Sequence, residues 1–271
     1  NGVPANSILL LTFTNKAAEE MRQRLQRKLG DDALGLFVGT FHSYCLQLLR
    51  DHKGETELPQ NFAIATPQEI EGLTRSIWPN KLAKERKRLL NQISQKKSGR
   101  QAENIADDLA LYNATLRERG LIDYDDLLFE AAQLCERDEQ LREQLQEKYS
   151  YIFVDEYQDI NAVQHSLLMQ LVGPKCQLTA IGDPNQAIYG FRGSDVRFFA
   201  TFSDEFENAR VLHLSDNYRA AKTLLTASDQ MIAKSSFPGL PQPTAKIAAR
   251  GLLTIHETPT EKSEAEYCVH Q

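Results

Sequence analysis

The segment Tyr151–Asp159, with the sequence YIFVDEYQD, constrains the fold of this chain more than any other stretch. Four apolar, β-favouring residues lead directly into Asp155 and Glu156. A short unbroken apolar run of this kind is typical of a strand buried on both faces of a parallel sheet. In open α/β sheets, ligands bind outside the carboxyl ends of the strands, which is where these two acids lie. The segment therefore predicts an α/β fold with a ligand site at the end of this strand.

The Asp155–Glu156 pair has two interpretations. An Asp at this position can bind Mg²⁺ through its oxygens, and the neighbouring Glu can orient or deprotonate a water molecule. The alternative is an Asp-Glu pair at an ordinary strand-to-loop turn. The dipeptide is common, so taken alone it leaves both interpretations open.

Length and cysteine usage limit the classes of protein to which this chain can belong. The 271 residues are enough for one large domain or two ordinary ones. There is no apolar run of membrane-spanning length and no signal peptide, which predicts a cytoplasmic protein with no membrane partner. The four cysteines, at positions 45, 135, 176 and 268, lie far apart without a CxxC pair. They are expected to be reduced thiols rather than a disulfide framework or a zinc site.

Charge is distributed unevenly along the chain. The net charge is −6, which by itself argues against nucleic acid as a partner, but Asn80–Arg100 holds eight basic residues against Glu85 alone, a local charge of +7. A local basic stripe matters more for phosphate binding than the sum over the chain. A solvated helix face is the alternative, and both interpretations remain open.

Two other strand candidates run directly into helices. Ile8–Thr12 is followed at Thr14 and Asn15 by a run of strong helix formers, and Leu36–Thr40 is followed by the helical pattern FHSYCLQLLR. Each junction places a free helix N-terminus beside a strand end. The N–H groups of such termini bind phosphate, so both junctions are candidate binding positions.

Phe13, Phe41 and His42 lie at these junctions. The two phenylalanines are either core residues or base-stacking residues, and their place just past strand ends favours stacking. His42 has Cys45 three residues further on, but no second pair of ligands completes a metal site. We therefore favour a hydrogen-bonding role for His42 toward a strand of phosphates.

The chain between Tyr44 and about Tyr149 has mostly helical periodicity. A short extended piece is expected at Phe62–Ala65, and helices are expected over 78–98, 102–119, 124–137 and 138–149. A helical block between strand-bearing blocks indicates an accessory subdomain inserted in an α/β core. Within it, Asp123–Leu128 (DYDDLL) places three acids at a helix start, where capping explains them better than a second metal site.

A fourth strand candidate, Cys176–Ile181, ends in the polar segment GDPNQAIYGFRGSD. Its glycines and proline predict an irregular loop, and Gln186 is expected to lie beside Asp155 and Glu156 on the neighbouring strand. Tyr189, Phe191 and Arg192 interleave aromatic rings with a cation, the chemistry of a platform that stacks single-stranded bases. Each ring could instead be a core residue, but the surrounding glycines favour a surface loop.

The rest of the chain continues the alternation of strands and helices. The expected elements are a helix over Asn161–Val172, a helix over Asp195–Phe206, a strand over Arg210–Leu214, a helix over Ala220–Ala233, a strand over Leu252–His256 and a helix over Glu261–His270.

Polar segments at five strand ends resemble, in sequence and in order, the UvrD/Rep family of DNA helicases. The matching segments are LLLTFTNKAAEEMR (motif Ia), GTFHSYCLQLLR (motif Ib), VDEYQD (motif II), GDPNQAIYGFRGSD (motif III) and LSDNYRA (motif IV). IDYDDLL before motif II is also similar to the family. The resemblance covers most of the chain outside roughly 55–120, and five ordered motifs are far more specific than any one of them.

The resemblance implies a RecA-like motor of the P-loop NTPase type. Such a motor couples ATP hydrolysis, with Mg²⁺, to 3′-to-5′ movement along single-stranded DNA and to duplex unwinding. Its partners would be single-stranded DNA, single/double-strand junctions and DNA repair or replication proteins. Residues 1–42 and 149–212 would form the first RecA-like domain, 43–148 the inserted helical subdomain, and 213–271 the incomplete beginning of a second RecA-like domain.

The resemblance also implies roles for individual residues. Asp155 would bind Mg²⁺, and Glu156 would activate the hydrolytic water. Gln186 would contact the γ-phosphate and relay its state to the DNA loop, Tyr218 would stack on the nucleotide base, and Arg219 would act as an arginine finger. The residues that would line the DNA path are Phe13, Thr14, Thr40, Phe41, His42, Tyr189, Phe191 and Arg192. Position 191 carries Phe where the family usually has Trp, which keeps the stacking face but reduces its area.

A larger departure from the family is an absence. The chain contains no G-x-x-x-x-G-K-[ST] phosphate loop, and no Gly in it is followed by Lys. Without that loop a triphosphate loses its principal anchor. We therefore expect an internal piece of a longer helicase, with little or no ATPase activity alone. The alternative is a non-catalytic single-stranded DNA-binding or scaffold module that retains the helicase fold.

Overall fold

Tyr151–Val154 forms a strand in the computed structural model of the protein, as predicted, and this strand lies inside a parallel sheet. The structure describes residues 2–100, 105–190, 193–206, 208–233, 241–247 and 251–270. The chain divides into two units, Asn1–Glu205 and Phe206–Gln271, and each is described by itself.

The first unit alternates strands with helices and has a long helical segment in its middle. Its elements are β1 (Ile8–Thr12), α1 (Asn15–Leu29), β2 (Phe37–Thr40), α2 (Phe41–Asp51), β3 (Ala63–Ile64), α3 (Pro67–Ile77), α4 (Ala83–Lys97), α5 (Ala106–Glu118), β4 (Leu121–Ile122), α6 (Tyr124–Arg137), α7 (Glu139–Lys148), β5 (Tyr151–Val154), α8 (Ala162–Leu171), β6 (Gln177–Ala180), α9 (Arg197–Ala200) and α10 (Phe202–Glu205).

The central sheet has the strand order β2-β1-β5-β6, and each neighbouring pair is parallel. Leu11 lies opposite Val154, and Val154 lies opposite Ala180. The carboxyl ends of β1, β5 and β6 therefore share one edge of the sheet. The predicted α/β class with a parallel central sheet is confirmed.

The burial of β5 differs from the expectation of a strand buried on both faces. Ile152 and Val154 are fully buried, whereas Tyr151 and Phe153 on the opposite face are partly exposed. The two exposed-face rings lie nearly parallel, with centroids 6.5 Å apart. Large aromatic side chains tolerate half-burial, so an unbroken apolar run does not distinguish one buried face from two.

Two hydrophobic cores form within the first unit. The larger joins the sheet to α2, α6, α7 and α8, with Leu49 and Ile152 among its fully buried members. The smaller lies between α3, α4 and α5 and includes Leu73, Ile93 and Leu116. The helices between β2 and β5 thus contribute to both cores, and the predicted domain boundaries stay predictions.

Helix α6 begins with a reciprocal cap. The Asp123 carboxylate accepts a hydrogen bond from the Asp126 N–H at 2.8 Å, and the Asp126 carboxylate accepts one from the Asp123 N–H at 3.0 Å. Such a pair satisfies two N–H groups that the helix leaves free. The prediction that the acids of Asp123–Leu128 cap a helix is confirmed.

The second unit has a two-stranded parallel sheet with helices beside it. Its elements are β7 (Asp216–Ala221), α11 (Lys222–Ile232), β8 (Thr244–Ile247) and α12 (Glu261–His270), with β7 paired to β8. No helix in the described ranges of either unit is long and apolar enough to cross a membrane.

Three predicted elements in the last third of the chain are wrong. Arg210–Leu214 and Leu252–His256 are not strands, and Asp195–Phe206 holds two short helices instead of one. Leu214 is 94% exposed and Ile255 is 91% exposed, so neither side chain packs against a neighbour. Strand propensity expresses itself mainly through such packing, and an apolar run without it does not become a strand.

Candidate functional site

Asp155 lies at the shared edge of the sheet, directly after β5. Its N–H donates to the Leu11 carbonyl at 2.8 Å, and the Thr12 hydroxyl donates to its carboxylate at 3.4 Å. Burial raises the pKa of Asp155, and the neighbouring charge of Glu156 raises it further. The strand pairing therefore holds this carboxylate where its negative charge is incompletely compensated.

Glu156 adopts an unusual backbone conformation. Its φ of 55° and ψ of 42° lie in the left-handed region, and among the described residues it is the one non-glycine with positive φ. Its carboxylate accepts a hydrogen bond from Gln158 Nε2 at 2.7 Å. Non-glycine residues in this region concentrate at functional sites, where the surrounding structure holds them in place.

Asp159 adds a third acid to this edge. It is 6% exposed, and burial together with the charge of Glu156 raises its pKa to about 6. We call Asp155, Glu156 and Asp159 the open acidic cluster. Within the described ranges, none of the three forms an ion pair with a Lys, Arg or His side chain.

The open acidic cluster fits Mg²⁺ by its donor chemistry. Mg²⁺ takes oxygen ligands, keeps several waters and is commonly bound through one or two carboxylates together with substrate phosphates. Asp155 offers such a carboxylate, and the Thr12 hydroxyl beside it is a further oxygen. Across the described residues, the open acidic cluster included, no group of three or more His, Cys, Asp or Glu is arranged to hold a metal ion by itself, so an ion at Asp155 would take its other ligands from phosphate and water.

Gln186 lies in the loop that follows β6, the strand next to β5. Its Nε2 donates to the Asp183 carboxylate at 2.7 Å, and the Asp183 N–H donates to Gln158 Oε1 at 3.0 Å. The structure thus brings the Gln186 loop and the Asp155–Glu156 strand end to the same edge. The roles assigned to these side chains stay predictions.

Phe13 and Tyr189 form the aromatic pair at this edge. Their ring centroids are 5.0 Å apart with an interplanar angle of 31°, and both rings are partly exposed. Phe13 follows β1, and Tyr189 lies three residues beyond Gln186 in the loop after β6. Thr14 is exposed and caps α1, its hydroxyl accepting from the Ala17 N–H at 3.1 Å.

The residues at the start of α2 are largely inaccessible to a ligand. Thr40 is 6% exposed, and its hydroxyl accepts from the Ser43 N–H at 3.2 Å. Phe41 is 3% exposed and belongs to the larger core, so its ring presents no face to a base. The stacking role predicted for Phe41 is therefore not supported, and the core alternative accounts for it.

His42 stacks on Tyr124, the first residue of α6. The ring centroids are 4.0 Å apart with an interplanar angle of 16°, and Tyr124 is 53% exposed. Burial lowers the pKa of His42 to about 4, so the imidazole is neutral at pH 7. A neutral imidazole can still donate one hydrogen bond, which is compatible with the predicted hydrogen-bonding role.

Four predicted site residues cannot be compared with this edge. Phe191 and Arg192 lie outside the described residues. Tyr218 and Arg219 lie in the second unit, on β7 just before α11, and both are exposed. The Tyr218 hydroxyl is 3.5 Å from the Asp216 carboxylate. Their predicted roles stay predictions.

The basic segment Asn80–Arg100 is partly structural. Lys97 is 1% exposed and forms buried ion pairs, and Arg100 donates a hydrogen bond to the Gly190 carbonyl. The segment therefore ends against the loop that carries Tyr189. The basic residues of the segment that are exposed are Lys81, Lys84, Lys87, Arg88 and Lys96.

Sequence reasoning did not single out Thr12, Gln158 or Asp183, although all three contact the predicted site residues. Gln158 lies inside the segment VDEYQD and Asp183 inside GDPNQAIYGFRGSD, but nothing local to either segment indicates that the two residues contact each other. Thr12 can be found only from the strand order, because nothing in Ile8–Thr12 indicates that its end lies beside Asp155.

Comparison with known proteins places this geometry in context. A family model described as the UvrD/REP helicase N-terminal domain matches residues 1–207. Similar proteins include the ATP-dependent DNA helicase PcrA of Staphylococcus aureus, 31% identical over 283 residues, and that of Staphylococcus epidermidis, 29% identical over 282 residues. Each alignment covers 98% of this chain and 39% of the relative. The chain thus spans about two-fifths of the length of the curated relatives it matches.

Proposed function

The chain belongs to the UvrD/REP helicase family, and from this membership we propose that it is part of an ATP-dependent DNA helicase that moves 3′ to 5′ on single-stranded DNA. One observation carries the proposal. A single edge of a parallel sheet gathers an uncompensated acidic cluster, a glutamine loop and a partly exposed aromatic pair. A nucleotide-dependent DNA motor needs these three components side by side.

The hydrolytic half of the proposal assigns roles to the acids. Mg²⁺, when bound, would neutralise charge on the phosphates of ATP. Asp155 would hold the ion, with its carboxylate oriented by the Thr12 hydroxyl. Glu156, held by Gln158, would orient the attacking water and accept its proton. A scaffold module that only bound DNA would have no need for this set.

The DNA half of the proposal rests on Phe13 and Tyr189. Their partly exposed rings would stack on successive bases, each stacked base contributing about 1–3 kcal/mol with little dependence on sequence. His42, neutral at pH 7, would donate a hydrogen bond to a phosphate oxygen without adding charge. The exposed lysines of α4 would add a salt-dependent contribution at a junction with duplex DNA.

Fluorescence anisotropy with a labelled oligothymidine, measured across salt concentrations, tests the DNA half. We expect binding of the 271-residue chain in the micromolar range, about −8 kcal/mol. Tyr189→Ala should weaken binding by about 1–3 kcal/mol with an unchanged salt slope. Lys84→Glu should flatten the salt slope by about one phosphate contact, and Lys28→Glu, at the end of α1, is the matched control.

Two outcomes would contradict this part of the proposal. Unchanged affinity in Tyr189→Ala, together with lost affinity in Lys84→Glu, would mean that binding is electrostatic only. Absence of binding by the wild-type chain would remove the DNA half altogether.

The hydrolytic half needs a phosphate-binding loop as well. In a longer protein that carries this chain together with such a loop, Glu156→Gln should retain nucleotide binding and abolish hydrolysis. The 271-residue chain alone should show little ATPase activity, because loss of a single stabilising donor already costs roughly 10²–10³ in rate. Robust turnover stimulated by DNA in the chain alone would require another phosphate site.

A further inference from the structure

Gln158 makes three hydrogen bonds although it is only 1% exposed. Its Nε2 donates to the Glu156 carboxylate at 2.7 Å and to the Asp159 carboxylate at 3.3 Å. Its Oε1 accepts from the Asp183 N–H at 3.0 Å. One buried carboxamide therefore connects the end of β5 to the loop after β6.

The orientation of the Gln158 carboxamide is fixed by its partners. The reversed orientation would turn its oxygen toward two carboxylates and its NH₂ group toward an N–H donor, and both contacts would be repulsive. The surrounding backbone is also close. A Cβ at Gly182 would overlap Gln158 Oε1, so glycine at 182 permits the approach. The amide has one place and one orientation.

The chain of hydrogen bonds continues beyond Asp183. The Asp183 carboxylate accepts from Gln186 Nε2 at 2.7 Å and from the Asn185 N–H at 3.0 Å. Tyr189 follows three residues after Gln186 and lies against Phe13, with ring centroids 5.0 Å apart. Consecutive contacts thus run from Glu156 through Gln158 and Asp183 to the loop that carries Tyr189, whose ring lies against Phe13.

We propose that Gln158 is the positioning residue that couples the acidic edge to the aromatic pair, by holding Glu156 with its NH₂ group and the Asp183 backbone with its oxygen. This inference rests on the proposed function, which assigns the cation to the acidic edge and the DNA to the aromatic pair. Movement of the Glu156 carboxylate toward a cation or a water draws the amide with it. The Asp183 N–H then loses its acceptor, Gln158 Oε1, and the Gln186–Tyr189 loop shifts.

Coupling of this kind is measurable as linkage between two ligands. The probes are Mg²⁺ alone, for the acidic edge, and a labelled oligothymidine, for the aromatic pair. Anisotropy titrations of the 271-residue chain with and without Mg²⁺, at constant ionic strength, give the factor by which Mg²⁺ changes oligonucleotide affinity. Asp155→Asn, which removes the proposed cation ligand, measures the effect of Mg²⁺ on the DNA itself.

We expect the wild-type factor to exceed the Asp155→Asn background by about fivefold or more, the lower range of typical coupling. Gln158→Met keeps the length of the side chain and removes all three hydrogen bonds. It should retain binding of each probe separately, while its coupling factor falls to the background. A folded Gln158→Met variant with the wild-type factor would overturn the inference, as would a wild-type factor equal to the background.

A second variant keeps the test decisive if Gln158→Met does not fold. Asp183→Ala changes a partly exposed loop residue, leaves the N–H that Gln158 binds, and interrupts the chain of contacts at the next bond. It should also lower the factor to the background, and an unchanged factor would contradict the inference. Gln158→Glu retains an acceptor for the Asp183 N–H but no donor for Glu156, so it should lower the factor as well.

Failure of this inference is distinguishable from failure of the proposed function. If the wild-type chain does not bind oligothymidine at all, the proposed DNA role is wrong. If it binds both probes and Tyr189→Ala weakens DNA binding, but Gln158→Met leaves the coupling unchanged, the proposed function stands and the role of Gln158 is wrong.

Discussion

Two clusters of acids, both evident in the sequence, differ in what surrounds them. The open acidic cluster at the end of β5 has no basic side chain paired to it among the described residues, and the pKa values of Asp155 and Asp159 are raised by burial and by Glu156. The second cluster, which we call the paired cluster, consists of Asp123, Asp126, Glu130, Lys97 and Arg117.

The paired cluster is buried and compensated. Lys97 Nζ lies 2.6 Å from both the Asp123 and Asp126 carboxylates, and Arg117 lies 2.9 Å from Asp126 and from Glu130. Burial acts to raise the pKa of Asp126, but the two cations outweigh it and lower that pKa. The comparison teaches that the acids of the paired cluster are neutralised within the fold, whereas those of the open acidic cluster have no cation paired to them among the described residues.

The largest effect is expected from removal of a cation in the paired cluster. Lys97→Met keeps the length of the side chain but leaves Asp123 and Asp126 buried without their ammonium partner. Breaking a buried ion pair in this way should lower the free energy of unfolding by about 3–5 kcal/mol, measured by urea denaturation. Lys96→Met, at an exposed neighbour, is the control and should stay within about 0.5 kcal/mol. Equal stability of both variants would contradict the comparison.

Neutralising an acid in the open acidic cluster should raise the free energy of unfolding, whereas removing a cation from the paired cluster should lower it. The pKa of Asp159 is raised to about 6, above its unfolded value near 3.9, so between those pH values the unfolded state releases its proton first. Stability should therefore fall as pH rises from about 4 to 6, by about 1–2 kcal/mol because solvent screens part of the charge effect, and stay low above that range. Asp159→Asn should remove this loss.

Urea denaturation at pH 4.5 and pH 7.5, with EDTA present, measures the difference. The wild type should lose stability between the two values relative to Asp159→Asn. An identical pH dependence in both proteins would show that Asp159 is compensated by a partner other than those described.

Mg²⁺ should stabilise the open acidic cluster and leave the paired cluster unaffected. At ten times its dissociation constant, a ligand that binds only the folded state raises the free energy of unfolding by about 1.4 kcal/mol. We expect this shift in the wild type and not in Asp155→Asn, measured by thermal unfolding at matched ionic strength. An equal shift in both proteins would place the ion elsewhere.

The smallest effect is expected from Glu130, at the rim of the paired cluster. Burial raises the pKa of Glu130 although Arg117 opposes it, whereas the pKa of Asp126 is lowered, so the charge of Glu130 is less compensated than that of Asp126. Glu130→Gln keeps an acceptor for Arg117 and should change the free energy of unfolding by less than about 1 kcal/mol. A loss as large as that of Lys97→Met would mean that the cluster acts as one unit.

The sequence predicted local structure well where side-chain pattern and packing agree. The helix over 124–137 begins and ends as expected, because Asp123 caps it and its apolar face lies in the larger core. The predicted strands at Leu252–His256 and Arg210–Leu214 failed because their apolar residues have no surface to pack on. Periodicity alone does not contain that information.

The candidate site could be predicted only in part, because local sequence pattern does not show which distant segments pack together. A strand end followed by acids can be recognised from the sequence alone, so Asp155 and Glu156 could be predicted as site residues. The cation that neutralises Asp123 comes from Lys97, on another helix, and the amide that holds Glu156 also binds a loop after another strand. Contacts between distant segments need the strand order, and no local pattern supplies it.

The position of β1 in the sheet has a consequence for how the chain acquires its structure. Ile8 pairs with Tyr151, so the central strand pair joins segments separated by the whole helical block. Long-range parallel pairing is slow to form, because the loop must close before its contacts are gained. During synthesis, the smaller core of α3, α4 and α5 can assemble before β5 leaves the ribosome, whereas β1 can pair with β2 but must wait for β5 on its other side. Until then the side of β1 that faces β5 is an unpaired strand edge, which is a site for aggregation.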